Sequence, residues 1–141
     1  MMIKRNQKGF SLLELLIVVA IITLLIALGI VSYIPAQKKS RDSKRKGDLE
    51  QIRAALEMYR SDEGSYPATD DVDTTGCTGT SIASDDNTYM DPIPCDPKNS
   101  GDYQYSYSRI TETSYQLTAK LELDTATGTC DVEGYYCVKN P

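Results

Sequence analysis

The sequence predicts an α+β fold: one long N-terminal α-helix, membrane-spanning over its first half, packed on a small antiparallel β-sheet. Three observations carry this. Residues 15–34 form a run of 20 without a charge. Residues 49–59 then carry an apolar stripe at helical spacing. The tyrosine-rich C-terminal half alternates apolar with polar residues, as strands do.

The apolar run comes first. At a rise of ~1.5 Å per residue it covers ~30 Å, the thickness of a bilayer's hydrocarbon layer. It is apolar on every side, so its surroundings must be apolar on every side too. Pro35 follows. Together with Gly29 it predicts either a kink or melted turn over 29–35, or simply the point of membrane exit. Helical spacing then resumes. Leu49, Ile52, Leu56 and Tyr59 recur at i, i+3, i+7 and i+10, with Ala55 beside them. Asp48, Glu50, Arg53 and Glu57 are expected on the other faces. Gly64 is the expected cap and Pro67 the stop, so the helix runs from about Ser11 to Ser61.

In the C-terminal half, residues 68–88 are rich in Thr, Asp, Ser and Gly and read as a loop. Strands are expected at 103–107, where Tyr103, Tyr105 and Tyr107 alternate with polar residues, and at 115–123. There Tyr115, Leu117, Ala119, Leu121 and Leu123 share one face. A third short strand is expected at 135–138. This sheet would cover the stripe of Leu49, Ile52 and Leu56.

Composition removes several functions. There is no histidine among the 141 residues, which excludes a Ser-His-Asp triad and imidazole metal ligands. No nucleophile–base pair and no phosphate loop is present, so no enzymatic activity is expected. Net charge is -5, and without residues 1–9 the chain carries 12 basic and 20 acidic side chains. That balance argues against general nucleic-acid binding. Cys77, Cys95, Cys130 and Cys137 all lie in the C-terminal half, which points to disulfides in an oxidising compartment. Pairing Cys77 with Cys95 and Cys130 with Cys137 closes two local loops and is the preferred connectivity of the three available. A structural zinc site is disfavoured, because no C-x-x-C spacing exists and no His completes the set.

Glu14 is the anomaly. A charge inside an apolar segment is costly, by ~3 kcal/mol at mid-membrane and less near the edge. Such a carboxylate points to a function and a partner. A conventional signal peptide would explain the basic start, with Ala27-Leu28-Gly29 as a small-x-small cut site. The apolar run continues past that site, however, and Glu14 has no place in that reading. The string "KGFSLLELL" (8–16) closely resembles the processing site of type IV prepilins and pseudopilins.

The resemblance implies a set of roles. Residues 1–9 would be the leader, 10–35 the transmembrane and filament-core helix, 36–63 an amphipathic helix, and 64–141 a β-rich globular domain. A prepilin peptidase would cut between Gly9 and Phe10. Phe10 would be N-methylated. Glu14, fifth residue of the mature chain, would pair with the Phe10 amine of a neighbouring subunit. Two opposite charges, each costly alone in an apolar medium, release that cost together and set axial register. The implied partners are other copies in a homo-oligomeric helical filament, an assembly ATPase, a platform protein and the inner membrane. The implied location is a single pass through that membrane with the N-terminus inside, then a periplasmic or cell-surface filament. The rival is a secreted or membrane-anchored extracytoplasmic binding domain. A "YP" after the helix, the Pro94–Pro97 segment and the tyrosine-rich strand also resemble the major pseudopilins of type II secretion.

Lys38, Lys39, Arg41, Lys44, Arg45 and Lys46 follow the span, and the positive-inside rule alone would hold that side in the cytoplasm. The cysteines and the implied cytoplasmic cut favour the outside. The cluster reads as a solvated face near acidic headgroups, or as a partner for acidic patches on neighbouring subunits. A nucleic-acid patch is a third reading, against which the acidic balance counts. No cofactor is expected. Calcium is the one ion with a partial motif. Asp71-Val72-Asp73-Thr74-Thr75-Gly76 resembles the first half of an EF-hand loop, but Ile82 stands where a bidentate Glu is needed. Major pseudopilins bind calcium through a C-terminal loop, and residues 122–134 lack that loop's run of glycines and aspartates. Solvated acidic loops are the default. The alternating tyrosines are expected to pack in the core rather than to stack on bases or sugars.

Overall fold

A computed structural model of the chain describes residues 9–74, 80–123, 130 and 132–140. Contacts divide the chain into two units, Met1–Ala36 and Gln37–Pro141. Helix α1 runs Leu12–Glu63 with Pro35 inside it, so no melted turn interrupts residues 29–35. In the first unit every large apolar side chain from Leu12 to Ile34 is exposed, Val31 by 77%. One stretch of α1 is long and apolar enough to cross a membrane.

The second unit is an α+β domain. Its part of α1 buries Leu49, Ile52, Ala55 and Leu56, the predicted stripe. The helix ends as expected. Gly64 sits at φ 78° and donates its N–H to the Arg60 carbonyl at 2.9 Å. That left-handed conformation favours a residue without Cβ.

Strands β3 (Ser106–Thr111), β4 (Ser114–Lys120) and β5 (Tyr135–Lys139) form an antiparallel sheet with β4 in the centre. On β4, Tyr115, Leu117 and Ala119 point into the core. A smaller ladder pairs β1 (Ile82–Ala83) with β2 (Thr88–Met90). Tyrosine dominates the interior. Tyr66, Tyr105, Tyr107 and Tyr115 are buried in one cluster with Leu56, Ile82, Ile93 and Leu117. Tyr66 and Tyr115 meet edge to face with ring centroids 4.6 Å apart. Of the alternating tyrosines, Tyr105 and Tyr107 are therefore core residues, while Tyr103 is half-buried outside the core cluster.

Four expectations need correction. The first strand lies at Ser106–Thr111, three residues later than the tyrosine alternation suggests. Tyr105 and Tyr107 do face inward, but register is set by the hairpin, where Thr111 pairs with Ser114 across Glu112-Thr113. That turn has no glycine to announce it. Its hydroxyls, Thr111 Oγ1 and Ser114 Oγ, lie 2.6 Å apart. Second, β4 stops at Lys120, because the Glu122 and Leu123 N–H groups turn to the Asp42 carboxylate at 3.0 and 2.9 Å. Third, the expected loop at 68–88 holds a 3₁₀ turn, Thr69–Asp71, and strand β1. Its Thr74 is buried and donates Oγ1–H to the Tyr105 carbonyl at 2.9 Å. Fourth, Asp48 is not on an outer face. It is buried and accepts the Tyr105 hydroxyl at 2.7 Å.

Candidate assembly site

The residues singled out by sequence lie at the start of α1. Phe10 is exposed, and Ser11 precedes the first helical turn. The first N–H groups of a helix have no intrahelical acceptor. Here Ser11 Oγ accepts the Leu13 N–H at 3.3 Å, and Glu14 Oε2 accepts the Ser11 N–H at 3.0 Å. Ser11 thus caps the helix at its second N–H, and Glu14 supplies the return bond of a capping box. The signal, Ser11-Leu12-Leu13-Glu14, lies within the string 8–16. Glu14 thus acts locally as well. It anchors the first turn, where an anion also meets the positive end of the helix dipole. Its second oxygen, Oε1, has no donor among the described residues.

Further along α1, the basic cluster does not behave as a uniform solvated face. Arg45 has 0% of its surface exposed. Its guanidinium grips Asp96 with two bonds, Nε to Oδ2 at 2.6 Å and Nη2 to Oδ1 at 2.9 Å. Nη1 donates to Asp42 Oδ1 at 2.7 Å and to Glu122 Oε1 at 3.1 Å. Arg41 and Lys98 also hold Glu122. Tyr103 lies beside this cluster, with its ring centroid 4.9 Å from the Arg45 guanidinium carbon and 4.2 Å from Lys98 Nζ. Burial alone would lower the Arg45 pKa, but the carboxylates raise it above its ordinary value. The Arg41 hydrogen bond, with Lys98 and Arg45, outweighs burial and holds the Glu122 carboxyl far below its usual range. Lys46 lies over the Tyr136 ring at 5.2 Å. Only Lys38, Lys39 and Lys44 of the cluster lack a salt bridge or ring contact among the described residues.

The Cys130–Cys137 disulfide forms as expected, with Cα atoms 5.3 Å apart. The other expected pair includes Cys77, which lies outside the described residues. The described residues do not fit a calcium site. Ile82, at the position where an EF-hand needs its last carboxylate, is buried in the core. Glu122 is enclosed by three cationic side chains. Residues 124–129 and 131, within the C-terminal loop, lie outside the described residues. No group of three or more His, Cys, Asp or Glu is arranged to hold a metal among those described.

Comparison with known proteins agrees with this geometry. Residues 4–30 match the prokaryotic N-terminal methylation motif. Residues 32–133 match the family described as type II secretion system (T2SS), protein G. The chain belongs to the protein G family. It is 30% identical to the type II secretion system core protein G of Klebsiella michiganensis over 106 residues, 72% of this chain and 74% of the relative. The corresponding protein of Pseudomonas aeruginosa is 38% identical over 66 residues, 47% of this chain and 46% of the relative. The type IV wide pilus major component PilA4 of Thermus thermophilus is 44% identical over 62 residues, 44% of this chain and 47% of the relative. The chain thus spans about half the length of the latter two relatives. No solved structure matches it at a significant level. Glu14 and the apolar run as far as Ile30 lie within the matched N-terminal methylation motif.

Proposed function

We propose that the chain is a structural subunit of a pseudopilus, made as a membrane-held precursor and polymerised through the first half of α1. It has no catalytic role. A prepilin peptidase cuts between Gly9 and Phe10, the new terminus is N-methylated, and Glu14 receives the Phe10 amine of the next subunit. The observation that carries this reading is the register of Gly9, Phe10 and Glu14 at the head of an exposed apolar helix, within a matched methylation motif. A helix exposed and apolar on every side needs lipid first and sibling helices afterwards. Capping leaves Glu14 a second oxygen for an incoming amine. Assembly draws on an ATPase and a platform protein of the inner membrane, and the finished filament stands outside that membrane. The likeness to PilA4 supports a second reading in which the filament is a true pilus.

The test is the intact mass and N-terminal sequence of the protein from its native cell. The expected chain starts at N-methylated Phe10 and lacks four hydrogens for two disulfides. A chain starting at Ile30, or one with an uncut leader, leaves Glu14 no amine to meet and removes the filament reading.

A further inference from the structure

Three carboxylates from separate parts of the second unit converge on one cation. Asp42 comes from α1, Asp96 from the segment between β2 and β3, and Glu122 from the end of β4. Such a gathering of acids would ordinarily call for a divalent ion or a large loss of stability. Here each carboxylate oxygen already has a donor. Asp96 faces two arms of the Arg45 fork, and its Oδ1 also takes the Lys98 N–H at 2.8 Å. Asp42 takes Arg45 on Oδ1, together with the backbone N–H of Glu122, and that of Leu123 on Oδ2. Glu122 takes Arg41 on both oxygens, Arg45 on one and Lys98 on the other.

We propose that Arg45 is the built-in cation of this domain, its guanidinium fixing Glu122 directly, and Leu123 through Asp42, against α1 in the manner of a bound metal ion, so that this part of the fold needs no divalent cation. A planar fork with five donors suits this role, because it reaches three carboxylates at once while remaining charged at any working pH. Just before Glu122, the Leu121 N–H is held by the Gly134 carbonyl at 2.9 Å. Cys130–Cys137 ties Cys130 to β5. Leu121, Glu122 and Cys130 are thus held by means that survive a chelator. This inference is independent of the filament reading and stands or falls without it.

The test uses the full chain in detergent. Thermal unfolding is followed by the near-ultraviolet signal of the tyrosines, with excess EDTA and then with millimolar calcium chloride. The two midpoints are expected to coincide. A fall of about 4 °C or more on chelation would mean that a bound metal stabilises the fold, and would overturn the proposal. The second arm is Arg45→Lys, which keeps the charge but loses the fork. Amide exchange at Glu122 and Leu123 is expected to quicken by about tenfold or more, with Leu117 and Ala119 in the middle of β4 unchanged. Equal exchange at all four amides in variant and parent would show that any cation serves, and would overturn the assignment to the fork. Should that variant fail to fold, the chelation arm still decides.

Discussion

Replacing Tyr105 by Phe removes one oxygen from the centre of the domain and leaves its shape intact. Tyr105 has 0% exposed surface, and its hydroxyl donates to Asp48 Oδ2 at 2.7 Å; Asp48 itself is only 6% exposed. The variant therefore buries a carboxylate that has lost its hydroxyl donor. A hydrogen bond to a charged group contributes about 1.5–3 kcal/mol, and the stranded acceptor keeps its desolvation cost. No cavity opens to add a packing term, so the expected loss is about 2 kcal/mol. The assay is denaturant unfolding of parent, Tyr105→Phe, Asp48→Ala and the double variant. Because the double variant removes both polar groups, it should cost less than the sum of the singles by about 1 kcal/mol or more. A Tyr105→Phe loss under about 0.5 kcal/mol, or strict additivity, would refute the idea that tyrosine–carboxylate bonds fix the sheet on α1. The same logic extends along the helix, where Glu57 accepts Tyr66 at 2.9 Å, Asp62 accepts Tyr89 at 3.1 Å and Glu50 accepts Tyr136 at 3.4 Å.

Two further outcomes can be measured. Stability is expected to fall at both pH extremes. The Glu122 carboxyl is held below its ordinary 4.5, so its contribution is present above that value and is lost as pH falls below it. Burial raises Tyr105, Tyr107 and Tyr115 above their ordinary 10.0, so their contribution is complete below that pH and is lost as pH rises beyond it. Unfolding midpoints measured across pH should form a plateau between those limits, and Glu122→Gln should flatten only the acid side. Glu14→Gln keeps an acceptor for the Ser11 N–H but loses the charge. The thermal midpoint of the domain should stay unchanged while filaments counted by electron microscopy fall by about tenfold or more, the consequence of ~1.4 kcal/mol lost at each joint.

Much of this molecule was legible from local pattern. The apolar run, the Leu49–Ile52–Leu56 stripe, the Gly64 cap, the inward face of β4 and the register of Gly9, Phe10 and Glu14 each depend on neighbours within a few residues. Propensity and periodicity report such relations directly. The Ser11–Glu14 cap was equally local, since the two residues are three apart. The same first-turn position favours an anion by the helix dipole.

Tertiary structure decided what depends on residues far apart in the chain. Arg45 stands four residues before Leu49, in line with the buried stripe, and three after Asp42, whereas Lys44 and Lys46 fall off that line; its charge nevertheless argued for solvent. Its burial follows from Asp96 and Glu122, 51 and 77 residues away, arriving at the same point. Asp48 moved from an assumed outer face to the interior for the same reason, when Tyr105 came to meet it from 57 residues away. The sequence by itself determined the helix, its apolar stripe, the sheet-forming half and the N-terminal methylation motif. It did not determine which charges would be buried, because a charge enters the interior only when its partners arrive with it, and only the folded chain brings those partners together.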